Sequence, residues 1–486
     1  MTSELLRKAR DYERSCAPLI APQERPAFHM TPAVGWMNDP NGFSVYKGEY
    51  HLFYQYNPYA THWDLMHWGH VKTRDFIRWE RLPAALAPDM PYDRDGCFSG
   101  SAAEMPDGRQ LLVYTGVCQG RQTQCAAVGD GVDYEKAACN PVIDAAGLPP
   151  GGSAQDFRDP KVWLDGGRYR MAVANRQADG SGAVLMYESE DGLRWRYAGM
   201  PAASGGRLGR MWECPDFFRL DGKDVLLVNP QEMTPVGLEF HAGNCTACVI
   251  GTFDPGDCHL SREAVQAVDY GLDFYAPQTL ETPDGRRVMI AWMQNWETVG
   301  AQPAGCRYFG EMTLPRELSV RDGRLIQNPV RELERFRGTQ VLHRNVRLSG
   351  TASLDGVRGR VLDMTVSVRP APRAARYRSF RIDVAADAER RVTIRYKPET
   401  DTVRIDRTRS GFPHDIVSVR DFPVRPSREE IRLRLILDRH SLELFVNDGE
   451  QAATAMFYTD PRADAIRFTA EGEAEMDVEK YDLIAD

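Results

Sequence analysis

Three acidic residues stand in local sequences that ordinary loops do not use: Asp39 in GWMNDPNG (35–42), Asp159 in FRDP (157–160) and Glu213 in WECPDF (212–217). Read alone, Asp39 has a structural explanation. Asp-Pro and Asn-Gly are turn dipeptides, so Asp39 and Asn41 suit a surface turn. Yet Trp36 and Met37 stand directly beside them, and a solvated loop has little use for two large apolar side chains. Brought into one pocket, the three carboxylates offer the chemistry of glycosidic bond cleavage. One attacks or stabilises the anomeric carbon, and a protonated one donates to the leaving oxygen. Burial and a neighbouring anion both raise a carboxyl pKa, which suits the acid role. The competing chemistry is an oxygen-ligated Ca²⁺ site. Trp36, Trp63, Phe98 and Trp212 favour sugar, because ring faces pack on sugar C–H surfaces whereas a metal shell takes oxygen.

The elements that would bring these acids together are visible as a repeat. YKGEYHLFYQYNP (46–58), DGRQLLVYTG (107–116), DGGRYRMAVANR (165–176), DGKDVLLVNP (221–230) and DGRRVMIAWMQN (284–295) each place a glycine turn before an apolar strand. The turn glycines Gly48, Gly108, Gly166, Gly222 and Gly285 are 60, 58, 56 and 63 residues apart. TRDFIRW (73–79) and SEDGLRW (189–195) form a second echo. All-strand repeats of this period predict a β-propeller, here of five blades over 27–337. The alternative is an irregular all-β sandwich with unrelated turns. Counting back nine residues from the turn glycine reaches Asp39, Ser99, Glu213 and Ala276, and seven reaches Asp159. First strands of propeller blades line the central channel, so residues in one phase converge. Turn punctuation has no need of that convergence.

From about residue 340 the sixty-residue beat stops, and strands such as VLDMTVSVRP, SFRIDVAA and IRLRLILD alternate with period two. This predicts a separate β-sandwich over 338–486. Residues 1–26 form an extension in which Leu5, Leu6, Ala9 and Tyr12 fit one face of a short helix capped by Thr2 or Ser3. The extension lacks the apolar core of a secretory signal, and no stretch approaches the length of a membrane span, so a cytoplasmic protein is expected. A net charge of −9 argues against nucleic acid or an anionic membrane as partner. The ten cysteines are expected as thiols. Cys245 and Cys248 form a CxxC with His241 and Cys258 nearby; a lone CxxC is weak evidence for zinc, and buried strand cysteines are the preferred reading.

WMNDPNG, YHLFYQYNP, HWGH, FSGS, FRDP, WECPDF and TLPREL stand in this order along the chain. In order and spacing the sequence resembles glycoside hydrolase family 32, the β-fructofuranosidases, from about residue 27 to the C-terminus. The resemblance implies a five-bladed propeller followed by a β-sandwich. It implies Asp39 as nucleophile, Glu213 as general acid/base and Asp159 as a transition-state stabiliser holding fructose hydroxyls. It places Trp36, Asn38, Gln55, Trp63, Phe98, Ser99, Arg158 and Trp292 around the fructose, with Cys214 setting the environment of Glu213. Read alone, Arg158 would simply pair with Asp159, and Trp292 would be strand core. One departure is YFGEMTLPREL (308–318), where many relatives carry Trp-Ala-Gly; the segment lies near the rim in the family, which puts leaving-group preference in question.

The resulting expectation is a retaining enzyme acting on the terminal fructosyl unit of sucrose or a short fructoside, without metal or cofactor. Sucrose-6-phosphate hydrolysis, with Arg307 or Lys72 taking the phosphate, is the first alternative. Fructan exo-hydrolysis or fructosyl transfer is the second, and a non-catalytic sugar-binding module the third. The sequence leaves oligomeric state open, a homo-oligomer included.

Overall fold

The computed structural model describes residues 2–412, 416–425 and 430–484. Five sheets are arranged as propeller blades, and a further ten-stranded sheet follows them. Blade I comprises Gly35–Tyr46, Glu49–Asn57, His67–Thr73 and Glu80–Leu86; blade II, Gly96–Glu104, Gln110–Cys118, Arg121–Gly129 and Tyr134–Lys136. Blade III comprises Gly152–Asp165, Arg168–Gln177, Gly182–Ser189 and Arg196–Ala203; blade IV, Trp212–Leu220, Lys223–Pro230, Ala247–Asp254 and His259–Ala267. Blade V is Tyr275–Glu281, Arg287–Trp292, Arg316–Arg321 and Arg324–Pro329. The repeated glycine marks the first hairpin of every blade, with φ between +58° and +82° at Gly48, Gly108, Gly166, Gly222 and Gly285. That left-handed conformation suits glycine because no Cβ is present to clash.

The first strand of each blade touches the first strand of the next, and blade V closes on blade I. Blade V carries an interruption that the repeat does not signal. After Trp292 the chain leaves the sheet, lays Tyr308–Phe309 parallel to Gly35 and Trp36 of blade I, and returns as the third strand. The ring is therefore clasped by backbone hydrogen bonding between its last and first blades.

Helix α1 (Glu4–Cys16) is capped by Ser3, whose Oγ accepts the Leu6 N–H at 3.2 Å. Its buried residues are Leu6, Ala9 and Glu13, whereas Leu5 faces outward, so the buried stripe is narrower than the apolar pattern suggested. The helix covers the outer edge of blade I. Glu13 Oε2 accepts the Ala84 N–H at 3.0 Å, and Arg10 Nε donates to the Ala84 carbonyl at 2.9 Å. Two side chains thus satisfy an edge strand that would otherwise present bare backbone.

The C-terminal sandwich is one hydrogen-bonded sheet folded over itself. The long strands Arg337–Ala352 and Ala465–Leu483 pair with each other and run through both layers. Residues 465–471 continue into the layer of Ser379–Ala386, and residues 474–482 into that of Leu362–Pro370. Between these two segments lies Gly472, at φ +103°. Phe380, Ile382, Leu433, Phe468 and Val478 fill the space between layers, and the same cluster runs on into Val184, Trp212 and Leu226 of blades III and IV.

Candidate active site

Each first strand breaks its ladder at the same place. The register shifts between Met37 and Pro40, Phe98 and Gly100, Arg158 and Lys161, Glu213 and Asp216, and Tyr275 and Gln278. A β-bulge re-aims the side chain at the break. Four of the bulges contain a proline (Pro40, Pro160, Pro215, Pro277), which removes a ladder donor, and the residue before it is held at φ +65° in Asp159, +44° in Cys214 and +52° in Ala276. The fivefold equivalent positions are accordingly Asp39, Ser99, Asp159, Cys214 and Ala276. Counting from the turn glycines put Glu213 in this set. The bulge register puts Cys214 there, and Glu213 one residue earlier beside Asn38, Phe98, Arg158 and Tyr275.

These two tiers form one connected network. Ser99 Oγ donates to Asp39 Oδ2 at 2.8 Å, and Cys214 Sγ lies 3.6 Å from the same oxygen. The Cys214 N–H donates to Asp159 Oδ2 at 2.9 Å. Arg158 reaches Glu213 Oε1 with Nη2 at 3.0 Å and Nε at 3.1 Å, and Asp159 Oδ2 at 3.9 Å. On its other side Arg158 contacts Asp156 at 3.1 Å. Tyr275 donates its hydroxyl to Glu213 Oε2 at 2.7 Å. Below the carboxylates, Asn41, Ser101, Lys161, Asp216 and Gln278 form a further buried polar belt, in which Lys161 Nζ meets Asp216 at 2.9 Å.

Burial and the charge of Glu213 raise the Asp39 carboxyl to about 6, against hydrogen bonds from Ser99 and Cys214. Burial raises Asp159 to about 7, with Arg158 pulling down and Glu213 and Asp39 pushing up. Three acids that feel one another's charge, one paired to a guanidinium and one to a hydroxyl, make a site for general acid and nucleophilic work.

Family models for glycosyl hydrolases family 32 match this chain over residues 29–329 for the N-terminal domain and 332–484 for the C-terminal one. The chain belongs to glycosyl hydrolase family 32. It is 37% identical over 473 residues to a raffinose invertase of Escherichia coli, covering 92% of this chain and 93% of that protein. It is 34% identical to a sucrose-6-phosphate hydrolase of Zymomonas mobilis, covering 91% and 88%. A family 32 β-fructofuranosidase of Bombyx mori, solved as a mutant in complex with sucrose, superposes with a TM-score of 0.85 at 31% identity, covering 100% and 99%.

In this family 32 chain the structure brings most of the sequence-predicted residues to the channel. Asn38, Asp39, Ser99, Arg158, Asp159, Glu213 and Cys214 join the two tiers directly. Trp36 is buried, donates Nε1 to Asn38 Oδ1 at 2.7 Å, and packs on Trp292 and Phe309. Gln55 lies behind blade II, its amide on the Cys97 carbonyl at 2.9 Å. Trp63, 45% exposed, stands edge-on to Phe98 at 5.8 Å. Trp292 is fully buried and supports Trp36 from behind.

Three expectations need correction. Trp212 is not a pocket wall: it is buried in the core between blades III and IV, with Nε1 on the Leu208 carbonyl. Phe309 and Glu311 are not at the rim. Phe309 packs behind Trp36, and Glu311 is buried against Ser441 of the sandwich. Lys72 is paired with Glu49 and Glu80, and Arg307 donates to the Leu19 carbonyl, so neither joins the carboxylate network.

Cys245 and Cys248 fall into different core clusters, so their thiols do not share a site. Among the described residues no cluster of three His, Cys, Asp or Glu is arranged to hold a metal.

Two functional positions escaped the sequence reading, Tyr275 and Asn229. Tyr275 immediately precedes the in-phase Ala276, so the bulge register would have found it. Asn229 Nδ2 donates to the Glu213 and Cys214 carbonyls while its Oδ1 accepts the Ala276 N–H, which ties blade IV to blade V beneath the acid. No motif marks it.

Proposed function

We propose that this family 32 hydrolase is a retaining β-fructofuranosidase that cleaves sucrose or a short fructoside. The observation that carries the reading is the unequal holding of three adjacent carboxylates. Asp39 is held on Oδ2 by Ser99 and Cys214, while its Oδ1 has no hydrogen-bond partner among the described residues. Glu213 is held on both oxygens by Arg158 and Tyr275. Asp159 accepts a backbone N–H from Cys214.

Asp39 then attacks the anomeric carbon of the fructosyl unit as its bond to the leaving oxygen breaks. Glu213 gives that oxygen its proton, leaving a fructosyl ester on Asp39. In the second step Glu213 takes a proton from water, water attacks the same carbon, and fructose leaves with its starting configuration. Asp159, with Arg158 beside it, holds fructose hydroxyls and stabilises the developing charge. Retention predicts that the β-anomer of fructose appears first in a time-resolved NMR assay, and first release of the α-anomer overturns the mechanism.

The name of the Zymomonas mobilis relative supports a second reading, sucrose-6-phosphate hydrolysis. Against it, the guanidinium in contact with the catalytic acids is committed to Glu213 and Asp156, Lys72 is paired with Glu49 and Glu80, and Arg307 lies on the separate segment that bonds the Leu19 carbonyl. Initial rates on sucrose, sucrose-6-phosphate and short inulin, measured side by side, decide between them. The neutral disaccharide is expected to have the highest kcat/KM; a large preference for the phosphorylated one reverses the assignment.

A further inference from the structure

A second cavity, of about 360 Å³, lies between the propeller and the sandwich. Its walls come from the clasp segment 303–311, from Gln294, and from His440, Met456 and Tyr458 of the sandwich. The size falls in the range of small-molecule sites. Two of its polar side chains carry atoms with no hydrogen-bond partner among the described residues.

Gln294 is 3% exposed and accepts from Trp292 Nε1, but its amide N–H₂ has no partner among the described residues. Glu311, equally buried, uses Oε1 for Ser441 and has no hydrogen bond to Oε2 among them. His440 Nδ1, by contrast, is closed off from solvent and has no partner among them. A ligand rich in hydroxyls would supply the hydrogen bonds that Gln294 Nε2 and Glu311 Oε2 lack within the protein.

The remaining wall is aromatic and apolar: Phe309, Met456 and Tyr458, the last stacked on Phe412 at 4.9 Å. Burial lifts the Glu311 carboxyl to about 8 and drops the His440 imidazole to about 4, so both are uncharged near neutral pH. Arg307 and Glu24, opposite in charge, both line it. The lining therefore offers amide and carboxylic acid hydrogen bonds beside ring faces, with no net charge.

We propose that this cavity is a second binding site for a neutral hexose-sized polyol, separate from the catalytic channel. It shares two walls with that channel: Phe309 packs on Trp36, and Gln294 bonds Trp292, which packs on Trp36 as well. Occupancy is thereby felt behind the fructose pocket without any ligand atom reaching it.

Cys306, half-buried in the lining, provides the probe. The full-length protein is alkylated with N-ethylmaleimide in the presence of D-glucose, D-fructose or glycerol, and modification of each thiol is followed by peptide mass spectrometry. Exposed Cys139 is the internal control. A hexose is expected to slow Cys306 several-fold at saturation and leave Cys139 unchanged. Ala304→Trp, a substitution on an exposed part of the clasp, should fill the cavity and erase the sugar-dependent difference while sucrose turnover continues. Unchanged labelling with every sugar means that the cavity holds water only and overturns the proposal. So does protection that persists undiminished in Ala304→Trp, because the effect then comes from the catalytic channel.

Discussion

Among the three carboxylates, geometry rather than residue type separates the roles, and substitution should expose this. Glu213→Ala is expected to cut sucrose turnover by roughly 10²- to 10⁴-fold, the usual contribution of a general acid. With an activated fructosyl fluoride the first step needs little acid, so the fructosyl-enzyme should accumulate, and azide should release it as fructosyl azide of retained configuration. Azide rescue of Asp39→Ala with retention, and of Glu213→Ala with inversion, would instead exchange the two assignments. Asp39 also makes a stability prediction. Its folded carboxyl is held at about 6, above its ordinary 3.8, so it binds a proton more tightly in the folded state. The native state is then penalised as pH rises through that interval, and above it the ion is disfavoured by on the order of 3 kcal/mol. Asp39→Asn is expected to raise Tm at pH 8 and to lose most of that advantage near pH 4, while activity vanishes. An unchanged Tm difference across that range would show that charge burial is not its origin.

At the scale of elements, the blades were legible because a hairpin needs glycine at a fixed place, and this need recurs in every blade. The helix was legible from its cap and apolar spacing, although Leu5 turned outward because the surface it meets is one narrow strand edge. What the pattern did not carry was the bulge. A one-residue slip moves a side chain to another tier, so counting from the turns placed Glu213 where Cys214 stands and passed over Tyr275. The clasp through Tyr308–Phe309 was also hidden, because two residues of parallel pairing leave no periodicity. Likewise Cys245 precedes the strand Ala247–Asp254 on which Cys248 lies, and the two thiols enter different cores. The helix itself yields a prediction. Without residues 2–16 the strand Glu80–Leu86 exposes its outer backbone edge, and light scattering should report concentration-dependent association. Glu13→Gln, which keeps the acceptor for the Ala84 N–H, should remain as the parent; Glu13→Ala should lose about 1–3 kcal/mol of stability.

Across the whole molecule, propeller and sandwich are joined by a buried ionic cluster. His29 contacts Asp438 at 2.9 Å and Glu443 at 3.0 Å, and Arg316 links Glu443 to Asp269 of the propeller. Burial alone would lower His29, but Asp438 and Glu443 outweigh it and hold the imidazole at about 10. A raised histidine stabilises fully below its unfolded pKa, and that contribution drains as pH rises from about 6.5 towards 10. Glu311, raised to about 8, acts in the same direction from about 4.5 upward. The depressed Asp438 and Glu443 act oppositely and protect above the ordinary carboxylate range. Tm should therefore peak on the mildly acidic side and fall toward pH 10. His29→Gln should cost about 3–5 kcal/mol of stability at the pH of that peak, the usual cost of stranding buried partners, and flatten the alkaline slope. A variant with the parent's slope would remove His29 from this account.

The core of blade I draws on the entire length of the chain. Leu6 and Met37 pack in one cluster with Val288, Phe336, Ile436, Phe445 and Leu483. On a ribosome, blade I is therefore the first blade synthesised and the last completed. Its aromatic-rich strands wait, partly uncovered, while the remaining blades and the sandwich emerge. A message cut short before the strand Ala465–Leu483 would yield a chain carrying Asp39, Asp159 and Glu213 and an unsealed first blade, a substrate for chaperones and proteases. For this protein, translation to the last strand is itself a condition for a finished active site.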